Sequence, residues 1–338
     1  GTGTVTNKNV SSNQSVSLGT IALTDTGATG DTANYSLNSA KLNIVQRPIS
    51  TVYLTKLYDA STTVQASDLQ TMSNLVGSET LTLTGTSTIS DANVGTKTVN
   101  TGGFTLNDQA GANASSGGLA SNYVLSGGTH QLVINQRPLN ATLARQYDGT
   151  TASAGSTLSS FDALQGGETL TMTGSGTAAS ANVANGIAMS SNGNLALADG
   201  TGAASNYSLN STVINIAKRV LTSSGSKTYD ANTDALAADI TLSNLVSGEA
   251  LNHSGTATIS SANAGSYTIT NLAGITIADG SGGAASNYTL TGGTHNFTVN
   301  QRPLNATLAR QYDGTTAAAG STLSSFDALQ GGETLTMT

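Results

Sequence analysis

Apolar and polar side chains alternate along most of this chain, and the alternation predicts β-strands. Leu81 and Leu83 alternate with threonines, and Ile275 and Ile277 flank Thr276 in a later segment. A period of two places the apolar side chains on one face of a strand, and Thr and Val suit a half-buried pleated surface. Gly-rich breaks separate these runs. The one segment with helical character is 159–165, for which we expect a single turn.

The strand pattern is organised in tandem repeats. Four landmarks recur in the same order: a Tyr-Asp pair, a Glu about 20 residues later, an Ala-Asn step and an Asn-Tyr pair. The Tyr-Asp and Asn-Tyr pairs each return after 81 to 89 residues. We single out the two tyrosine motifs as candidate structural residues; they are Tyr58, Asp59, Tyr147, Asp148, Tyr229, Asp230, Tyr312, Asp313, Asn34, Tyr35, Asn122, Tyr123, Asn206, Tyr207, Asn287 and Tyr288.

The repeats are of two alternating types, here named A and B. Residues 135–173 and 300–338 are identical except for Ser153 against Ala318, and these segments define type B. The repeats around Tyr58 and Tyr229 share Ser-Asn-Leu-Val and define type A. Gln-Arg-Pro steps such as 136–138 predict the joints, because Pro fixes φ and biases its neighbour to extended geometry. The predicted boundaries are 1–46 (second half of a repeat), 47–136 (A), 137–217 (B), 218–301 (A) and 302–338 (first half of B).

Each repeat of about 83 residues contains six to eight short strands, so we expect an all-β chain of Ig-like β-sandwiches in tandem. The alternative is a parallel β-solenoid, whose rungs favour the same Gly, Asn, Ser and Thr. The landmarks recur about every 83 residues and not about every 20, which favours the sandwich. We expect the stiffness of the array to come from the short Arg-Pro joints and not from a continuous core. Because the start and the end of the sequence are in the same phase of the repeat, we expect it to be part of a longer protein.

Both tyrosine motifs have a structural interpretation. A type I turn begun by Asp, with the Tyr packed on the core, explains the Tyr-Asp pairs. Ala60 and Ala231 stand where the B repeats have Gly, which indicates that no left-handed backbone is needed there. The Asn-Tyr motif predicts a buried Tyr similar to the tyrosine corner of Ig-like sandwiches. The functional alternatives are a ligand contact by the Tyr-Asp pair and stacking of an exposed Tyr on a sugar.

Composition and charge exclude several classes of function. Charged residues make up 9% of the chain and the net charge is −7, so no basic patch suits nucleic acid or an anionic membrane. No apolar run approaches the length of a membrane span. The three His residues share no landmark, Cys is absent, and no nucleotide-binding or zinc motif is present, so we expect no enzyme and no cofactor. Asp-Gly loops such as 199–202 offer one carboxylate each and are better explained as turns than as calcium sites. Sequons at Asn34, Asn140, Asn206, Asn287 and Asn305 are a weak indication of glycosylation.

The motifs together resemble the YDG-type repeats of large secreted bacterial exoproteins. The resemblance rests on Tyr147-Asp148-Gly149-Thr150-Thr151, Gly167-Glu168, Ala181-Asn182-Val183 and Ser205-Asn206-Tyr207, and it extends over the whole chain. Ala60, Ala231 and Val220 depart from the motif Gly and the joint Pro and mark the A repeats as divergent copies. Such exoproteins include the filamentous-haemagglutinin-like adhesins of two-partner secretion systems, so the resemblance implies an extracellular or cell-surface location.

We therefore expect a structural stalk of an adhesin that acts in cell adhesion or biofilm formation, with neighbouring repeats as the main partners. One alternative is a set of multivalent repeats that bind surface glycans or proteins weakly and gain strength by avidity. Another is self-association of copies into a fibre through exposed strand edges. The resemblance brings no catalytic or ligand-binding residues with it.

Overall fold

The computed structural model describes residues 1–27, 30–109 and 118–337 of the chain. Within these ranges the regular structure is β-strands and short 3₁₀ turns, and no α-helix occurs. The all-β prediction is confirmed, and the sheets are not those of a solenoid. The single helical turn expected at 159–165 is wrong, because Thr157–Phe161 forms a strand. No helix in the described part of the chain has the length and apolar character that a membrane crossing requires.

The strands follow the repeat pattern. Residues 1–46 contain β1 (Ser11–Val16) and β2 (Ala40–Ile44). The first A repeat contains β3 (Arg47–Pro48), β4 (Thr51–Leu57), β5 (Thr63–Gln65), β6 (Leu69–Ser73), β7 (Leu81–Thr88), β8 (Gly95–Thr98), β9 (Phe104–Asp108), β10 (Tyr123–Val124) and β11 (Gln131–Asn135). The B repeat contains β12 (Arg137–Gln146), β13 (Thr157–Phe161), β14 (Leu170–Thr173), β15 (Thr177–Ala178), β16 (Ala184–Ser191), β17 (Ala196–Asp199) and β18 (Tyr207–Ala217).

The remaining elements repeat this order. The second A repeat contains β19 (Arg219–Val220), β20 (Thr222–Thr228), β21 (Asp234–Leu236), β22 (Ile240–Ser243), β23 (Leu251–Ile259), β24 (Gly265–Asn271), β25 (Ile275–Asp279), β26 (Tyr288–Thr289) and β27 (His295–Asn300), and the last segment contains β28 (Ala306–Ala309) and β29 (Thr322–Phe326). The 3₁₀ turns are Thr32–Asn34, Ala66–Asp68, Thr101–Gly103, Ala120–Asn122, Ala204–Asn206, Ala237–Asp239 and Ala285–Asn287. Four of these turns end on the Asn of an Asn-Tyr motif, so the turn presents this Asn and the Tyr follows it.

The first A repeat is built from two larger sheets, and β3 and β10 form a separate parallel pair. One has the strand order β6-β4-β11-β8 and the other β5-β7-β9. β11 runs parallel to β4, with Leu132 opposite Leu54, whereas β6 and β8 are antiparallel to their neighbours. Leu54 and Leu132 of the first sheet and Leu81 and Phe104 of the second belong to one buried cluster. The alternating apolar positions of both sheets therefore face one core, as in a sandwich.

The second A repeat has the same strands, but its two sheets are joined. β24 has seven residues where β8 has four, and its longer end pairs Ile269 with Ile259 of β23. The result is a seven-stranded sheet of order β21-β23-β24-β27-β20-β22, with β25 also paired to β23. Its buried cluster includes Ala235, Ile259 and Phe297.

The chain forms two compact units whose boundary lies inside the B repeat. Unit 1 comprises 1–140, 161–172 and 196–210, and unit 2 comprises 141–160, 173–195 and 211–338. Unit 1 contains the first A repeat and the pair β14–β17, and unit 2 contains most of the sheet β13-β12-β18-β16-β15 and the second A repeat. Segments of consecutive repeats are thus packed together inside each unit. The predicted repeat boundaries stay a prediction.

The core of unit 1 continues from one repeat into the next. The cluster around Leu54 and Leu132 also includes Leu139, Leu170 and Tyr207, which belong to the B repeat. The expectation that the array lacks a continuous core is therefore wrong for this unit. The pattern within one repeat does not reveal this, because side chains of the joint motifs complete a core that two repeats share.

Candidate functional site: the joint between repeats

The landmark motifs converge where one repeat meets the next. In unit 1, the Glu168 carboxylate of the B repeat accepts a hydrogen bond from Tyr58 of the preceding A repeat and another from Tyr207 of its own repeat. Both O···O distances are 2.5 Å. The two rings pack edge to face with their centroids 5.2 Å apart, and both are almost fully buried. One carboxylate thus holds two tyrosines that are far apart in the sequence.

Unit 2 contains the same arrangement at the next joint. Glu249 of the A repeat accepts hydrogen bonds from Tyr147 of the B repeat and from Tyr288, each at 2.6 Å. The rings of Tyr147 and Tyr288 are 5.4 Å apart in an edge-to-face contact. The Tyr288 hydroxyl also accepts from the Val246 N–H, as Tyr207 does from Gln165. We call this group of one Glu and two Tyr the tyrosine clamp.

The Asn of three Asn-Tyr motifs, Asn122, Asn206 and Asn287, makes a second connection to a neighbouring repeat. Asn206 accepts from the Val94 N–H at 2.9 Å and donates to Asn93 Oδ1 at 2.9 Å. Asn287 forms the same pair with Val183 N–H and Asn182, and Asn122 forms it with Val10 N–H and Asn9. The buried Asn therefore recognises the Asn of the Ala-Asn step, or of Asn9-Val10, through both atoms of its amide.

The arginine of the joint differs between the two kinds of repeat. In the B repeats, Arg137 and Arg302 donate from Nε to the carbonyl oxygens of Tyr58 and Tyr229 in the preceding repeat, at 2.6 and 2.7 Å. In the A repeat, Arg219 donates instead to the backbone and side chain of Asn244 in its own repeat. Its remaining contact with the preceding repeat, to Tyr147 O, is 3.4 Å long.

The Tyr-Asp loop is closed by its own polar groups. Asp59 and Asp148 accept from the N–H two residues later, as do Asp230 and Asp313. A buried cation two residues before the Tyr binds this Asp and loop carbonyls; it is Lys56, Arg145 and Lys227 in successive repeats. The Asp accepts the hydrogen bond that closes the turn, and the cation neutralises the charge of this Asp. This part of the motif therefore stabilises the loop.

The backbone of this loop corrects one prediction. Ala60 has a φ of 58° and Ala231 a φ of 61°, close to the 75° of Gly149. The left-handed conformation is therefore kept in both A repeats, although Ala adopts it at a cost. The substitution of Ala for Gly had suggested the opposite. The shape of the loop is imposed by its Asp, its cation and the clamp, and the sequence change alone does not reveal it.

The first and last motifs of the chain form no complete clamp. Tyr123 donates to Glu79, and Tyr229 donates to Glu333, so each of these carboxylates has one tyrosine here. Tyr35 is 71% exposed and Tyr312 is 98% exposed. The structure thus brings together Tyr58 with Tyr207 and Tyr147 with Tyr288, and it leaves Tyr35 and Tyr312 at the surface.

Burial and the clamp both act on the tyrosine hydroxyls. Burial first and the hydrogen bond to Glu249 second raise the pKa of Tyr147 to about 12. The same two causes raise the pKa of Tyr58, Tyr207 and Tyr288. A neutral phenol is the donor that the carboxylate needs, so the clamp favours the protonated tyrosine.

Burial also determines whether the other candidate residues are accessible to a ligand or to modification. Tyr123, Tyr207 and Tyr288 are buried, so their rings are not accessible to a glycan in the folded chain. Asn206 and Asn287 are 1% exposed with both amide atoms bonded, which makes their sequons inaccessible. His130 and His295 are buried and bond to backbone carbonyls through Nε2. Among the described residues, no group of three or more His, Asp and Glu is placed to hold a metal ion.

The role of the glutamate was missed at the level of sequence, although a signal exists. The chain has four Glu residues, Glu79, Glu168, Glu249 and Glu333, and all four occupy the equivalent position. Eight of its ten tyrosines lie in the two tyrosine motifs. Because Glu occurs at one position of the repeat and at no other, its recurrence indicates a specific partner. The partner itself was hidden, because Tyr58 and Glu168 are 110 residues apart and belong to different repeats.

The model of the YDG domain matches the chain three times in tandem, over residues 45–130, 135–214 and 217–295. No curated protein and no solved structure matches the chain. The expectation of YDG-type repeats is confirmed.

Proposed function

Because the chain belongs to the YDG domain family, we propose that it is a structural stalk in a bacterial adhesin. On this proposal it lies outside the cell or on its surface, contributes to cell adhesion or biofilm formation, and catalyses no reaction. Its principal partners are its own neighbouring repeats.

The observation that carries the proposal is the tyrosine clamp. The clamp, the Asn pair and the arginine all bind a neighbouring repeat. The landmark side chains are thus used to fix one repeat to the next. In tandem arrays, stability is a sum of repeat terms and nearest-neighbour terms, and strong neighbour terms suit a protein that must hold its repeats in line.

The proposal is tested in the bacterium that produces the protein. Antibodies against residues 1–338 should label intact cells or secreted material, and an in-frame deletion of these repeats should reduce attachment or biofilm mass without slowing growth. A deletion that removes an equal length of chain outside the repeats is the control for length. Labelling only after the cells are permeabilised would overturn the location, and unchanged attachment would overturn the role.

The glycan-binding alternative is tested on the purified chain. The joint tyrosines are buried, so a glycan would have to use other side chains. Saturable binding of the chain to a polysaccharide panel would support that alternative against the stalk. No binding across the panel would leave the stalk as the better account.

Self-association through exposed strand edges is a second candidate. The sheet β6-β4-β11-β8 leaves β6 and β8 at its two edges. Sedimentation of residues 1–338 over a range of concentrations tests the idea: a monomer throughout excludes it, and a concentration-dependent species supports it.

A further inference from the structure

The two kinds of joint differ in the size of the side chains that meet where the Tyr-Asp loop contacts the loop that carries the Glu. Where an A repeat precedes a B repeat, the first loop has an Ala and the second a Gly: a Cβ at Gly166 would lie 3.1 Å from Ala60 Cβ. The joint of Ala231 with Gly331 gives the same 3.1 Å. One side of this contact has a methyl group and the other side has none.

Where the B repeat precedes the A repeat, the Tyr-Asp loop has the Gly and a larger side chain of the facing loop lies against it. Gly149 has no side chain, and the facing loop presents Val246. A Cβ at Gly149 would lie 2.9 Å from Val246 Cγ1, closer than carbon atoms approach without a shift. Val246 occupies the position that Gln165 has in the B repeat, because the N–H of each donates to the clamp tyrosine.

The hydrogen bonds of the joint arginines are a second, independent difference between the two kinds of joint. Arg137 and Arg302 of the B repeats reach back to the preceding Tyr carbonyl, whereas Arg219 of the A repeat is held by Asn244. Asn244 itself has a φ of 66°, in a loop whose B counterpart has Ala163 at this position. The A repeat therefore diverts its arginine from the joint, and the B repeat does not.

We propose that these loops make each repeat accept a neighbour of the other type. An A repeat following an A repeat would place an Ala methyl against a Val side chain at about 2.9 Å, as the Gly149 geometry shows. A B repeat following a B repeat would place Gly opposite Gly and lose a packing contact. Size mismatch of this kind gives specificity by penalising the wrong partner. The inference goes beyond the stalk role, because it states which type of repeat can pack against the Tyr-Asp loop of another repeat. The same restriction applies to a repeat of the same chain and to one of another copy.

The test is Gly149→Ala, with amide hydrogen exchange at both joints of the same molecule as the measurement. The Val183 N–H donates to Asn287 across the joint that contains Gly149, and the Val94 N–H donates to Asn206 at the other joint. We expect the exchange of Val183 to increase about tenfold or more, because overpacking opens the joint locally. The exchange of Val94 should stay unchanged.

Backbone strain has its own control in the same repeat. Gly155 has a φ of 77° and nothing within 4 Å of an added Cβ, so Gly155→Ala measures the cost of a left-handed Ala alone. It should change the Val183 exchange far less than Gly149→Ala does. Val246→Ala added to Gly149→Ala should restore the slow exchange, because it removes the clashing methyl.

Two results would overturn the proposal. The first is an equal effect of Gly149→Ala and Gly155→Ala on Val183, which would leave only backbone strain. The second is the absence of rescue by Val246→Ala. If Gly149→Ala prevents folding, recovery of folding in the double variant supports the proposal, and failure to recover it counts against the proposal.

Discussion

Removing one carboxylate should uncouple two repeats. Glu168 accepts hydrogen bonds from Tyr58 and Tyr207, whose residues are 3% and 2% exposed. In Glu168→Ala both phenols lose an ionised acceptor while their rings stay packed. Hydrogen bonds to charged groups contribute about 1.5–3 kcal/mol each, so we expect the loss of two to lower the unfolding free energy by about 3–6 kcal/mol. Glu168→Gln keeps the volume and one carbonyl acceptor, and we expect it to lose about 1–2 kcal/mol.

The other glutamates supply a graded set of matched controls. Glu79 binds one buried tyrosine, so Glu79→Ala should lose about 1.5–3 kcal/mol. Glu333 binds Tyr229 at an exposed site, where water replaces the carboxylate, and Glu333→Ala should lose less than about 1 kcal/mol. Urea denaturation followed by circular dichroism measures each loss as a shift of the midpoint at constant m. The reasoning fails if all three Ala variants lose the same amount, or if Glu168→Ala loses less than Glu79→Ala.

Two further predictions address the rest of the joint. Asn206→Asp should lose about 2–4 kcal/mol in urea, because a buried charge replaces the donor to Asn93, whereas Asn34→Asp at an exposed site should have no effect. The raised pKa of Tyr147 means that the stability contributed by its hydroxyl is complete below pH 10.0 and is lost as the pH rises through about 12. The difference in tyrosinate absorbance between the chain and Tyr147→Phe should therefore change together with the ellipticity in this range, and ionisation of Tyr147 below it without loss of structure would contradict the clamp.

The fold was largely predictable because its signals are local. Alternation at Leu81 and Leu83 predicts a strand whatever the strand pairs with, and both residues lie in β7 with their side chains in the core. The recurrence of the Tyr-Asp and Asn-Tyr pairs predicts the array without any knowledge of contacts. A period of two and a repeat length are properties of the chain alone, so they can be obtained from one sequence.

The joint was not predictable in the same way, because its contacts connect different repeats. Each landmark had a sufficient explanation inside its own repeat: a turn for Asp59, a tyrosine corner for Tyr207. Nothing local indicates that Tyr58 and Tyr207 share Glu168. The left-handed Ala60 was missed for a related reason. The loop is held by Lys56 and by the next repeat, and this support outweighs the preference of Ala for negative φ.

The joint between repeats uses the scarcest side chains of this composition. A composition of Gly, Ser, Thr, Asn and Ala gives strands and turns but few side chains large or polar enough to specify one contact over another. The chain places every Glu, and eight of its ten Tyr, in motifs that form or can form a clamp. Within each repeat, Leu, Ile and Val supply much of the buried core, whereas each complete clamp joins a Tyr of one repeat to a Glu and a Tyr of the next. The alignment of neighbouring repeats therefore depends on these scarce residues.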